Sequence, residues 1–358
     1  MAIEIGKVRN VGVVGHGGVG KTSLVEALLF TAGAVTRLGK VDDGSTTTDF
    51  DPDEIKRKIS INTAVAYCDW KGHRVTFVDT PGYGDFIADA RAGLRVVEAA
   101  VVVVDAVAGV QVQTEKVWKF ATEYGLPRAV VVNRLDRERA DFYRTVESLA
   151  RRLKGRLVAL QIPLGEESGF RGYIDLVKLR AVTYANGKPS EGDAPGDLSE
   201  RVKEYREKLV EAAAETDDDL LNRYLEEGSL GEPEMLRALR AGIAAGKLVP
   251  VLCASASRNV GSHALLDLVV DSLPAPADRG EVAGTDLKTK QPGTRPPDPK
   301  APVTALVFKT LSDPHIGKLS LFRVYGGTLR SDSTLLNASR GVRERMGHVS
   351  WLMGKTQK

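Results

Sequence analysis

The chain has 358 residues, 42% of them hydrophobic and 27% charged, which is enough apolar matter for a sizeable core and predicts two or three domains rather than one. Fifty lysines and arginines stand against 47 acids, and the resulting net charge of +3 suits an anionic partner and an ordinary mildly basic enzyme equally well. The only two cysteines, Cys68 and Cys253, lie far apart in sequence, which excludes a disulfide framework and a cysteine metal cluster.

The opening MAIEIGKVRN lacks the apolar core of a signal peptide, and the most apolar run, 99–104, is too short to span a bilayer. Both predict a cytoplasmic protein with no membrane partner. From residue 8 to 14 an apolar run ends in glycines, and beyond it Leu24, Ala27, Leu28 and Leu29 have helical spacing, so the order is strand, glycine-rich loop, helix. The loop reads GHGGVGKTS and satisfies G-x-x-x-x-G-K-[ST], a pattern that arises by chance in about one chain in a hundred of this length. Gly15, His16, Gly17, Gly18, Val19, Gly20, Lys21, Thr22 and Ser23 are the expected phosphate contacts. Loop amides turn inward on the α- and β-phosphates, Lys21 reaches the β- and γ-phosphates, and the Thr22 hydroxyl can ligate magnesium.

Residues 34–58 form a long polar stretch, the composition of a flexible loop that orders around a γ-phosphate and its metal. Ser60 and the threonines at 46–48 are its available hydroxyl ligands. Ile59, Ile61, Val65 and Tyr67 alternate with polar or small residues, and HRVTFVD follows DWKG, which predicts two strands joined by a hairpin. DTPG at 79–82 ends the second of them. Asp79 can hold magnesium through water, and the Gly82 amide can meet a γ-phosphate.

AAVVVVDA at 99–106 and RAVVVN at 128–133 are unbroken apolar runs of strand length, with a helix between them carrying Val117, Phe120, Ala121 and Tyr124. NRLD follows at 133–136. Asp136 can accept two hydrogen bonds from the N1 and N2 donors of guanine, which adenine lacks; Asn133 braces the loop and the stem of Arg134 lies over the base. The pattern then changes to short strands and charged helices, read as an insertion over about 157–246, in which the acidic TDDD marks a helix start. KLVPVLCA supplies one more strand, and Ser255, Ala256 and Ser257 after it aim backbone amides at the guanine O6.

Four motifs, each following its own strand in this order, predict a guanine-nucleotide-binding domain. Its fold class is α/β, a phosphate-loop domain with a mostly parallel sheet and an inserted α+β subdomain, over residues 1–275. A Pro- and Gly-rich linker, expected to be irregular, follows at 276–301, and 302–358 reads as the start of a β-barrel, truncated.

These stretches resemble the elongation factor G family of translational GTPases. DDGSTTTDFDPDEIKRKISI is similar to that family's first switch and DTPGYGDF to its second. EYREKLVEAAAETDDDLLNRYLEEG and GKLVPVLCASA resemble its insertion and last guanine motif, and LVFKTLSDPHIGKLSLFRVYGGTL the opening of its barrel domain. The resemblance implies a monomeric GTPase that binds GTP, GDP and Mg2+ and acts on the ribosome, on both rRNA and ribosomal proteins; Arg340, Arg343 and Arg345 suit the rRNA. It assigns the metal to Thr22, Ser60 and Asp79 and catalysis to Lys21, Gly82 and Tyr83. It also implies that three later domains have no counterpart here, so that the chain alone does not translocate tRNA and mRNA.

Five positions depart from the family pattern. Tyr83 occupies the catalytic histidine's position, and a phenol orients water but carries no imidazolium charge. Gly18 replaces an aspartate, Lys58 a glycine, Ser60 a threonine and Arg134 a lysine. These departures point to a divergent paralogue. A GTP-dependent ribosome binder with little or no hydrolysis, and a ribosomal-protection or release-type factor, are the alternatives.

Overall fold

The computed structural model describes residues 3–287, 289–313 and 317–357, with backbone only at 312 and 313. β1 (Val8–Gly15) is followed by α1 (Lys21–Thr31), which starts where Gly20 takes a left-handed turn at φ 90°. The polar stretch that follows is not a featureless loop, because it contains α2 (Pro52–Arg57). Asp51 accepts the Asp53 amide, Glu54 returns a carboxylate oxygen to the Asp51 amide, and Pro52 takes a position where no amide donor is needed. The expected strand at 59–67 starts later, as β2 (Ala64–Trp70). The amides of Ile61 and Asn62 are bound to Glu54 Oε1, each at 2.9 Å, and so are withdrawn from any ladder.

β3 (His73–Asp79), α3 (Ile87–Arg95), β4 (Ala99–Asp105), α4 (Val112–Glu123), β5 (Arg128–Asn133), α5 (Phe142–Arg152) and β6 (Arg156–Ala159) follow in turn. The inserted unit runs through β7 (Gln161–Leu164), β8 (Gly172–Asp175), β9 (Arg180–Ala185), β10 (Lys188–Asp193), α6 (Ser199–Ala214), α7 (Asp218–Glu227) and α8 (Glu232–Ala244). Asp217 caps α7 by accepting the amides of Asp219 and Leu220, so the acidic run does open a helix. The chain then returns to the main sheet with β11 (Leu248–Cys253) and α9 (Ser262–Ser272).

The main sheet has the order β2-β3-β1-β4-β5-β11-β6, parallel throughout except for β2. Every residue of β4 and β11 is buried, the reason these strands are apolar without alternation: helices cover both faces. Leu24, Leu28, Phe77 and Leu94 fill the layers around it. The insertion carries its own antiparallel sheet, β10-β9-β8-β7.

The linker holds an antiparallel pair, β12 (Val282–Thr285) with β13 (Pro292–Arg295), where an irregular connection is expected from its composition. Beyond it the described residues form three antiparallel pairs, β14 (Thr304–Asp313) with β15 (Gly317–Gly326), β16 (Thr334–Asn337) with β17 (Val342–Arg345), and β18 (Leu352–Met353) with β19 (Thr356–Gln357). Among the described residues no helix is long and apolar enough to cross a membrane.

The pair β14–β15 and the β18 hairpin dock on the N-terminal α/β half through polar groups. Buried Glu98, just before β4, accepts from Asn10 Nδ2 at 2.7 Å and from Arg323 Nη2 of β15 at 3.0 Å. Lys309 of β14 pairs with Asp89 on α3 and donates to Asn62 Oδ1 at 3.0 Å. The β18 hairpin lies along β2, the outermost strand of the main sheet, with the Gly354 amide donating to Val65 O at 2.8 Å. Burying a charge costs free energy unless it is paired, so these partners fix the docking register.

Candidate functional site

The carboxyl ends of β1, β3, β5 and β11 meet at a cleft of about 270 Å³, at the point where the chain crosses from β3 and β1 to β4, the usual ligand position of an open α/β sheet. Of the residues singled out from sequence, Gly17, Gly18, Gly20, Lys21, Thr22, Ser23, Ser60, Gly82, Tyr83, Asn133, Arg134, Ala256 and Ser257 line it. Gly15, Val19, Asp79 and Ser255 are buried outside the lining, His16 and Asp136 half-buried outside it.

The loop 15–23 turns directly into α1, so its amides and the positive end of the helix dipole point into the cleft. Lys21 is buried and donates to His16 O at 2.9 Å. Burial lowers its ammonium to about 8, against the pull of Asp79 and Asp49. Gly82 packs on the same loop so closely that a Cβ there would meet Lys21 Nζ, His16 O and Gly17 N. Tyr83 is 42% exposed and lays its ring over Gly17, where a Cβ would be 2.9 Å from Cζ. Burial, and then Lys21, push the His16 imidazole below its usual range, which disfavours its cationic form.

Three hydroxyls and two carboxylates gather at the first residues of the helix. Thr22 Oγ1 and Ser60 Oγ are 3.0 Å apart, Thr22 Oγ1 donates to Asp49 Oδ1 at 3.4 Å, and Thr48 donates to Asp79 Oδ2 at 2.7 Å. Asp79 Oδ1 is buried and has no hydrogen-bond partner. Burial pushes both acids up, Asp49 to about 6, and Asp79 adds to the rise at Asp49. An all-oxygen donor set with an unsatisfied carboxylate oxygen fits a hard divalent cation. Among the described residues no group of three His, Cys, Asp or Glu gathers to hold a metal by itself.

Asp49 was not singled out from sequence: it is one acid among several in residues 42–54, with no spacing that distinguishes it. Two buried glutamates were missed for the same reason. Glu26 of α1 accepts the amides of Gly39 at 3.3 Å and Thr47 at 2.8 Å, and Glu54 accepts those of Asp51, Ile61 and Asn62. Together they hold the polar stretch closed over Thr22.

Asn133 joins two loops of the cleft. Its Nδ2 donates to Val19 O at 2.9 Å and its Oδ1 accepts the Ala256 amide at 3.0 Å. Asn133→Ala leaves both backbone groups buried and unpaired, an expected cost of about 2–4 kcal/mol, read as a melting temperature lower by roughly 3–7 °C. Arg134, at φ 66°, is pinned by Asp105 through a 2.9 Å ion pair. Asp136 Oδ1 is shielded from solvent and has no partner.

Two family profiles cover most of the chain: the elongation factor Tu GTP binding domain matches residues 6–275, and elongation factor G domain 2 matches 302–358. A crystal structure of a protein from Thermus thermophilus is similar, with a TM-score of 0.85 and 38% identity, over 98% of this chain and 50% of that one. The chain therefore spans about half the length of that relative.

Proposed function

We propose that this chain, which belongs to the translational GTPases, binds GTP and GDP with magnesium and hydrolyses GTP on the ribosome. One observation carries the reading: Lys21 lies buried within the electrostatic reach of Asp49 and Asp79, near Thr22 and Ser60, at a glycine-rich loop. A buried ammonium beside two buried carboxylates, one of them with an unpartnered oxygen, suits a phosphate and its counter-ion.

Magnesium, held by Thr22, Ser60 and the two aspartates, would supply charge neutralisation at the phosphate oxygens. Lys21 exchanges the His16 carbonyl for the β- and γ-phosphates. Asp136 accepts the two guanine donors; adenine would leave that carboxylate buried and unpaired. Gly82 offers its amide where the γ-phosphate ends, and Tyr83 beside it orients the attacking water. Exposed Arg340, Arg343 and Arg345 on and beside β17 suit ribosomal RNA. Tyr83, Gly18, Lys58, Ser60 and Arg134 support a divergent paralogue of elongation factor G, and the reading includes a cytoplasmic location and a monomeric state.

The test is phosphate release from GTP with and without ribosomes, for the protein and for Tyr83→His. Turnover stimulated by ribosomes is expected; a protein with no affinity for guanine nucleotides would overturn the reading. Tyr83 favours a second reading, a nucleotide-gated ribosome binder that hydrolyses slowly. Under it the unaltered protein binds GTP without appreciable turnover, and Tyr83→His accelerates release by about a hundredfold or more, the usual contribution of a placed acid–base group.

A further inference from the structure

We propose that the β18 hairpin sets the preference of the site for GTP over GDP, by bearing directly on the closed form of residues 34–63. This rests on the nucleotide reading above. The hairpin belongs to the C-terminal sheets, yet its tip touches the polar stretch that closes the cleft.

The Gly354 amide donates to Val65 O, Met353 is buried with its sulfur 3.5 Å from the Tyr67 amide, and Trp351 meets the Tyr67 ring edge-on at 6.3 Å. These contacts fix the tip beside β2. From there the tip reaches Thr47: a Cβ on Gly354 would overlap the Thr47 carbonyl oxygen and lie 3.2 Å from Thr47 Cγ2. Thr47 is held in turn by Glu26, and its next two residues are Thr48, bound to Asp79, and Asp49, bound to Thr22. One residue thus separates the hairpin from the groups assigned to the metal and the γ-phosphate.

In the closed form of the stretch Thr47 lies against the hairpin tip. A ligand with a γ-phosphate favours closure, so hairpin contact and GTP binding support each other, whereas GDP makes no such demand. The coupling is reciprocal: a partner that draws the hairpin away from β2 weakens GTP binding and leaves GDP binding alone. Gly354 is a positioning residue, since it touches neither nucleotide nor metal.

The experiment titrates the full chain with fluorescent GDP and with a non-hydrolysable GTP analogue, in magnesium, for Gly354→Ala and Gly354→Asn. Gly354 has φ 57°, which asparagine tolerates in a turn, so the second variant separates loss of the contact from loss of the turn. Both variants are expected to lower the affinity for the GTP analogue relative to GDP by about tenfold, within the usual range for coupled sites. An unchanged ratio in either variant, or a restored one in the asparagine variant, overturns the proposal. Should both Gly354 variants fail to fold, Met353→Ala, which loosens the docking without a clash, is read in the same way: a lowered ratio supports the proposal and an unchanged one overturns it. If the unaltered protein binds no guanine nucleotide, the functional reading fails with it; if it binds and the ratio holds, only this inference fails.

Discussion

Asp136→Ala is expected to weaken the binding of GDP and GTP by a factor of about 10²–10⁴ while leaving the unliganded protein as stable as before. Hydrogen bonds to a charged group contribute roughly 1.5–3 kcal/mol each, and the guanine N1 and N2 donors would make two. The stability half of the expectation comes from the structure: Oδ1 of Asp136 is shielded and has no partner, so no protein contact is lost with it. Titration with fluorescent GDP, together with a melting curve, checks both halves. Unchanged affinity would remove the guanine pocket from this loop, and a large drop in melting temperature would make Asp136 a structural residue.

Gly82→Ala acts at the other end of the nucleotide. The methyl group would enter space held by Lys21 Nζ, with His16 O at 2.5 Å and Gly17 N at 2.7 Å, so either the lysine moves or the segment 80–84 backs away from the phosphate loop. A displacement of about 1 Å costs a catalytic arrangement roughly a hundredfold in rate, and GTP hydrolysis in a single turnover is expected to fall at least that far. GDP affinity falls much less, because without a γ-phosphate the segment can swing clear. Equal losses for the two nucleotides would mean that Gly82 serves loop packing alone.

What could be read from the sequence was what physics writes locally. β4, β5 and β11 are buried on both faces and therefore carry unbroken apolar runs, and the chemistry follows directly on their ends, which made the order of the motifs legible. The closing stretch was not legible in the same way. α2 has six residues, too few for a periodicity, and its only signal was the pairing of Asp51 with Glu54. Glu26, Glu54 and Asp49 are buried acids, and in a sequence a buried acid looks like a solvated one. The strand expected from Ile59 onward alternates correctly, but Glu54 takes its amides. Contacts such as Arg323 with Glu98 join residues 225 positions apart and leave no local trace, and two-residue strands such as β18 have no pattern to find.

The place of that last hairpin bears also on solubility. β2 ends the main sheet, and an outer strand with open backbone groups is a template for pairing with another copy of itself. The tip of β18 caps one of those groups, Val65 O, and sets Met353 and Trp351 against the rest of the strand near Tyr67. The β18 hairpin thus guards the nucleotide-binding half against edge-to-edge aggregation, and a fragment cut within the linker would present β2 uncovered to its neighbours in solution.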